Sequence, residues 1–190
     1  MSTAPDHLLP LIRRARDAPV RPPPAPWQRR AVHSVGGLTD AGFGRGTDLL
    51  LVISSDGRGV FDCLTGLRVA RDASMPDRGE ADWQDTRELG ATGIGPLLGQ
   101  TIRTSGLSGG GLPSTTADRW TAERLTLDWP DELLLLVPPG SWLHETRAGR
   151  SADFTKLAVE REVRAWGFSP TGKSLILATS SDVAIFGRSS

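Results

Sequence analysis

Short apolar runs separated by turn-forming residues dominate the hydrophobic pattern of this chain. The clearest runs are residues 49–53, 133–137 and 175–178, each bounded by glycine, proline, serine or aspartate. Runs of this length between turn residues are typical of buried β-strands. Shorter candidate strands are residues 59–62, 68–70, 101–104, 122–127, 161–168 and 183–186. The pattern therefore predicts an all-β fold.

The N-terminal residues follow a different pattern, which predicts two parts of the chain. Residues 6–17 favour a short helix that starts at Asp6 and places Leu8, Leu11, Ile12 and Ala15 on one face. Residues 18–26 are rich in proline and predict an extended linker that serves as a spacer. The prediction is a helix with a linker over residues 1–26 and one all-β domain over 27–190. A second helix over residues 80–89 is a weaker expectation.

One segment of the chain recurs. Residues 42–62 and 167–187 share a Gly-Phe pair, a glycine turn, an apolar strand, Ser-Ser-Asp and a strand that contains phenylalanine. Each copy predicts an antiparallel β-meander. A weaker copy over residues 128–145 suggests a period of 42 residues, which requires a degenerate unit near position 91. Four such units predict either a propeller-like arrangement of about four small blades or a curved sandwich.

The segment VRAWGFSPTGKSLILATSSDVAIFG, residues 163–187, resembles a blade of the WD-repeat β-propellers. The segment GVFDCLTGLRV, residues 59–69, is similar to the strand and turn of the same blades. The chain as a whole also resembles a family of small, uncharacterised bacterial proteins. That second resemblance implies an accessory or immunity-type binding role.

Composition narrows the function classes. The 22 basic and 22 acidic residues give no net charge, so nucleic acid is not an expected partner. Cys63 is the single cysteine, which excludes an intrachain disulfide and a cysteine-based zinc site. The sequence contains no P-loop motif, so we expect no nucleotide cofactor and, in general, no cofactor. No signal or membrane segment is evident, and we expect a cytoplasmic protein.

Two catalytic alternatives stay open. Ser108 stands in a G-x-S-x-G pattern and is followed by Asp131, or Asp128, and His144 in the order of α/β-hydrolases. However, the glycines and the proline after Ser108 disfavour the helix that a nucleophile elbow needs. The aspartates at 56, 62 and 72 form the second alternative, a metal site, although aspartate is also a common turn residue.

The preferred hypothesis is a non-catalytic protein–protein interaction module. Trp120, Trp129 and Trp142 lie in loop-rich segments, and tryptophan and arginine are favoured at interface hot spots. The predicted binding residues are Trp120, Trp129, Trp142, Arg58, Asp56, Gly109 and Gly110. The expected partner is another protein, of which a toxin or effector is the narrowest version. The oligomeric state is left open.

Overall fold

A computed structural model describes residues 8–74, 84–85, 89–143 and 152–188. Strands account for 52% of the chain and helical residues for 8%, which confirms the all-β prediction. In the described part of the chain, no helix has the length and apolar character needed to cross a bilayer.

Over the described residues, one helix is followed by fifteen strands. They are α1 (Leu9–Asp17), β1 (Trp27–Ser34), β2 (Leu38–Phe43), β3 (Leu49–Ser54), β4 (Gly57–Asp62), β5 (Leu67–Asp72), β6 (Gln84–Asp85), β7 (Gly90–Thr92), β8 (Thr101–Arg103), β9 (Ser105–Gly106), β10 (Thr121–Asp128), β11 (Asp131–Val137), β12 (Thr155–Glu160), β13 (Val163–Phe168), β14 (Ser174–Thr179) and β15 (Asp182–Arg188). A 3-10 turn, Gly95–Leu97, lies between β7 and β8.

Two of the predicted elements need correction. A strand was predicted over residues 161–168, but Arg161 and Glu162 form the turn between β12 and β13, where Glu162 has a positive φ of 55°. A helix is also predicted over residues 80–89. This prediction is wrong for Gln84 and Asp85, which form strand β6 and pair with β7. Few apolar residues occur in that range, so a helix there has no face to bury. Of the other residues in that range, only Leu89 is described. Asp6, the predicted start of α1, also lies outside the described residues.

The strands form four antiparallel sheets. The first sheet has the order β5-β4-β3-β2-β9, the second β6-β7-β8, the third β10-β11-β12 and the fourth β1-β15-β14-β13. Each contains a meander whose middle strand is β3, β7, β11 or β14. These middle strands begin at Leu49, Gly90, Asp131 and Ser174, which are 41, 41 and 43 residues apart. The predicted repeat of β-meanders is therefore confirmed, including the degenerate unit near position 91.

Both faces of β3, β11 and β14 are buried, which explains why the apolar runs of these three middle strands are continuous. Along β3, Leu50 and Val52 pack against the fourth sheet, whereas Leu51 and Ile53 pack against the second. Successive side chains of a strand point to opposite faces, so burial of both faces requires an apolar residue at every position. The fourth sheet packs on the third in the same way, through clusters that include Leu134 and Leu136.

The glycine of each Gly-Phe pair lies where another segment of backbone passes close by. An added Cβ on Gly42 would collide with the carbonyl oxygen of Arg103. On Gly167, whose φ is +141°, it would collide with Leu112 and the carbonyl oxygen of Pro113. The pair therefore recurs because both copies need a residue without a side chain at this close approach.

Helix α1 covers the outer face of the third sheet. Ala15 is fully buried there among Leu133, Leu135 and Val137. The buried ammonium of Lys156 on β12 donates a hydrogen bond of 2.8 Å to the carbonyl of Arg16. The N-terminal segment therefore completes the core of the third sheet.

The sheets pack in the order second, first, fourth and third. Strand β1, the first strand of the chain, pairs with β15, the last strand described. Within the described residues, no hydrophobic cluster joins the second sheet to the third. Closure into a propeller, or into a curved sandwich, stays a prediction.

Candidate functional site

The three tryptophans predicted to contact a partner differ greatly in exposure. Trp120 is 8% exposed, whereas Trp129 is 87% and Trp142 is 66% exposed. The backbone N–H of Trp120 donates a 2.9 Å hydrogen bond to the hydroxyl of Thr116, in a tight loop that turns the indole inward. The indole then meets the buried Trp27 edge to face, with ring centroids 6.1 Å apart. Trp120 is thus part of the core, and only the other two tryptophans lie on the surface.

Trp129 lies beside an open groove of about 1000 Å³ at one end of the third and fourth sheets. We call this the Trp129 groove; it is lined by Thr126 and by residues 129–132, 159–164 and 179–181. The groove forms because three chain reversals meet there: the β10–β11, β12–β13 and β14–β15 turns. Its apolar surface comes from Trp129, Pro130 and Val159, and its polar surface from charged side chains and the hydroxyls of residues 179–181.

Most carboxylates of the Trp129 groove are paired with arginines. Asp131 accepts a hydrogen bond of 2.7 Å from Arg161. A second carboxylate, Glu132, accepts bonds from the Arg124 guanidinium at 2.9 Å and from a backbone N–H at 2.9 Å. These contacts hold the turns in place.

Glu160, at the end of β12, differs from these residues. Its pKa is raised above the usual range for glutamate, first because neighbouring groups partly bury it and second because the negative charge of Asp182 lies nearby. Within the described part of the chain, neither Glu160 nor Asp182 forms an ion pair. The carboxylate of Asp182 accepts hydrogen bonds from the hydroxyls of Ser34 at 3.2 Å and Ser181 at 2.8 Å. Among the described residues, the groove therefore carries one carboxylate without a counter-ion, that of Glu160, and a second, that of Asp182, lies beside the groove next to Ser181.

Trp142 lies beside a second groove, at the opposite end of β11. This Trp142 groove has a volume of about 860 Å³ and is lined by residues 114–115, 119, 121, 123, 137 and 140–143. Among its described lining residues, the charged ones are one arginine, Arg119, and one glutamate, Glu123. The two grooves thus share an exposed indole but differ in charge.

The other predicted binding residues lie elsewhere. Asp56 and Arg58 line a smaller pocket of about 160 Å³ at the β3–β4 turn. Arg58 donates to the carboxylate of Asp72 at 2.6 Å and to the carbonyl of Thr92 at 2.8 Å, so its guanidinium links the first and second sheets. Gly109 and Gly110 follow β9 in a turn with positive φ and line neither tryptophan groove. The predicted set is therefore divided among separate surfaces.

The residues of the hydrolase alternative are also separated. Ser108 lies in a turn closed by reciprocal backbone hydrogen bonds between Gly106 and Gly109, and residues 109–120 contain no helix. A nucleophile elbow requires a helix after the serine. Asp131 belongs to the third sheet, where its carboxylate is bonded to Arg161. His144 lies outside the described residues.

The aspartates of the metal alternative serve local turns. The Asp62 carboxylate accepts hydrogen bonds from the Leu64 N–H at 3.0 Å and the Thr65 hydroxyl at 2.9 Å. The pKa of Asp72 is lowered to about 2, mainly by hydrogen bonds from Ser74 and then by Arg58. Among the residues that the structure describes, no three or more histidine, cysteine, aspartate or glutamate side chains are grouped to hold a metal ion.

The sequence analysis singles out neither Glu160, which lines the groove, nor Asp182, which lies beside it. Asp182 belongs to the repeated Ser-Ser-Asp motif, which predicted only a turn. Glu160 belongs to the charged run Glu160-Arg161-Glu162, which was included in or beside a predicted strand. This charged run is the sequence signal for an exposed turn at this position, because three consecutive charged residues favour an exposed turn over a buried strand.

Comparison of the chain with protein-family models, curated proteins and solved structures finds no match. The resemblance to WD-repeat blades and to a family of small bacterial proteins therefore stays a prediction. The exposed tryptophans and the charges around them are the observations from which a function is proposed.

Proposed function

We propose that this protein is a non-catalytic protein-binding module that contacts its partner through the two exposed tryptophans of the third sheet. The observation that carries the proposal is the 87% exposure of Trp129 next to a core that buries Trp27 and Trp120. An exposed indole forgoes the free energy that burial of its large apolar surface would contribute. Tryptophan is also among the residues most enriched at interface hot spots.

Binding without chemistry suits the groups around Trp129. The guanidiniums and most of the carboxylates there are engaged in ion pairs, which favours a rigid recognition surface over proton transfer. Rigid turns that present an aromatic anchor give affinity by shape and by exclusion of water. In the finer version of the proposal, the protein acts in the cytoplasm as an immunity-type protein and covers the active site of a toxin or effector.

A comparative pull-down from an extract of the native host tests this proposal. The tagged wild-type protein, a Trp129→Ala/Trp142→Ala double variant and a Leu98→Ala control are used as baits, and bound chains are quantified by mass spectrometry. Leu98 is a matched control because its side chain is 77% exposed and lines neither groove.

We expect one partner near equal stoichiometry with the wild type and the control, and at least tenfold less of it with the double variant. Equal recovery by all three baits, or no stoichiometric partner with any of them, would contradict the proposal.

A further inference from the structure

The charges around the Trp129 groove do not balance. Four arginines in or beside the groove each pair with one carboxylate: Arg16 with Asp128, Arg124 with Glu132, Arg161 with Asp131 and Arg164 with Glu162. Among the described residues, Glu160 in the groove and Asp182 beside it are left over, and the negative charge of Asp182 contributes to the raised pKa of Glu160. The surplus charge of this surface is therefore negative, although the whole chain is neutral.

The carboxylate of Glu160 shares the groove with an exposed aromatic face. Trp129 and Val159 are 87% and 41% exposed, and Glu160 follows Val159 directly at the end of β12. Ser181, which donates to Asp182, lines the same groove. The combination of an indole face, an apolar wall and the unpaired carboxylate of Glu160 is complementary to a cation with a flat, weakly hydrated surface.

Arginine fits this combination better than lysine does. A guanidinium can stack on an indole while its N–H groups donate to carboxylates, and both contacts use its planar shape. An ammonium is more strongly hydrated and offers no flat face to stack. The hydroxyls of residues 179–181 supply further hydrogen-bonding groups along one side of the groove.

We infer that the Trp129 groove binds an arginine-bearing segment of a partner protein, with a guanidinium held between the indole of Trp129 and the carboxylate of Glu160. The inference rests on the proposed protein-binding function and names the chemistry of the partner. It assigns no such role to the Trp142 groove, where the described lining residues include one arginine and one glutamate and so leave no surplus charge among them.

Fluorescence anisotropy with labelled peptides tests this inference. The probe is a fluorescein-labelled Gly-Arg-Gly-Arg-Gly peptide, and the controls are the same peptide with lysine or with neutral citrulline in place of arginine. We expect saturable binding of the arginine peptide, weaker binding of the lysine peptide, and at least tenfold weaker binding of the citrulline peptide. Higher salt is expected to weaken binding of the arginine peptide, because part of its affinity is electrostatic.

Matched variants locate the site. Trp129→Ala and Glu160→Gln are each expected to weaken binding of the arginine peptide, by about tenfold and about threefold respectively. Trp142→Ala is the control and is expected to change the affinity by less than twofold. All three side chains lie on the surface, and circular dichroism checks that each variant is folded.

The inference is overturned if citrulline binds as well as arginine, if Trp129→Ala leaves the affinity unchanged, or if no binding occurs below a Kd of roughly 1 mM. These outcomes are distinct from failure of the proposed function. A partner that is captured through the tryptophans but does not compete with the arginine peptide would leave that function standing and refute the inference alone.

Discussion

The interior and the Trp129 groove use the same residue types in opposite ways. Trp120 and Trp129 flank strand β10 and are only nine positions apart, yet they are 8% and 87% exposed. Trp120 contacts another indole, and its backbone is fixed by Thr116. Trp129 stands at a turn that meets two other turns. The separation of two aromatic residues along the sequence therefore does not predict their burial, because the conformation of the local loop sets the direction of each side chain.

The carboxylates repeat this contrast. The buried carboxylate of Asp48 accepts three hydroxyl hydrogen bonds, from Ser169 at 2.6 Å, Thr171 at 2.7 Å and Ser174 at 2.7 Å, and so fastens the first sheet to the fourth. Among the described residues, Glu160 has no such donors, and it lies near another negative charge. Polar groups that are satisfied internally stabilise the fold, whereas groups without partners are the ones that a ligand can satisfy.

The largest expected difference is in the free energy of unfolding, between the Trp120→Ala and Trp129→Ala variants. Trp120→Ala removes a buried indole and should lower the free energy of unfolding by about 3–5 kcal/mol. Trp129→Ala should change that free energy by no more than about 0.5 kcal/mol, since nothing packs over the side chain. Urea denaturation followed by circular dichroism measures both. Similar losses for the two variants would show that Trp129 is a structural residue.

Removal of the buried carboxylate is expected to have the next largest effect. Asp48→Ala leaves three hydroxyls without their charged acceptor and should lower the free energy of unfolding by about 2–3 kcal/mol. Glu160→Ala is the matched control and should lower it much less. The same urea titrations give both values. An equal loss of unfolding free energy in the two variants would show that Asp48 and Glu160 do not differ in their structural role.

The affinity for the arginine peptide should depend on pH in a way that identifies Glu160. Because its folded-state pKa is raised, Glu160 takes up a proton at a higher pH than an ordinary glutamate does as the solution is acidified. Peptide binding should therefore begin to weaken at a pH above the usual range of glutamate pKa values. Loss of the Glu160 charge should lower the affinity by roughly threefold. Anisotropy titrations from pH 7 to pH 4 measure this loss. Glu160→Gln should remove the early part of it, and an unchanged profile would show that another group is responsible.

The smallest expected effect on the free energy of unfolding concerns the ion pair between Arg188 and Asp118, which lies over the buried Trp27. Arg188 lies over the ring of Trp27, 5.1 Å from its centroid, and is bonded to both carboxylate oxygens of Asp118. The pKa of Asp118 is lowered to about 2, mainly by the hydrogen bonds from Arg188. A lowered folded-state pKa means that this stabilisation is present at neutral pH and disappears as the pH falls from about 4 to about 2.

Because Asp118 is half exposed, the pair should contribute less than about 1 kcal/mol. Asp118→Asn should therefore lower the free energy of unfolding slightly at pH 7 and hardly at all near pH 2. A difference between wild type and variant that stays the same at both pH values would contradict this assignment.

The sequence predicted the sheets far better than the candidate site. Strands buried on both faces must be continuously apolar, so β3, β11 and β14 were visible as runs of leucine, isoleucine and valine. The repeat even indicated the unit near position 91, where β7 has no such run. These features are local, and local patterns survive in a single sequence.

The groove could not be predicted in the same way, because it forms where three turns from distant parts of the chain meet. Trp129, Glu160 and Ser181 are brought together only by the packing of the third sheet on the fourth. The inward turn of Trp120 likewise depends on Thr116 and on Trp27, which lies more than ninety residues earlier. No periodicity in the sequence reports such contacts.

The most direct test of the central claim follows the indole N–H signals of ¹⁵N-labelled protein by NMR while the Gly-Arg-Gly-Arg-Gly peptide is added. Tryptophan variants assign the signals. We predict that the Trp129 signal shifts progressively and saturates, while those of Trp120 and Trp142 stay in place. A shift confined to Trp142, or no indole shift at saturating peptide, would contradict the account.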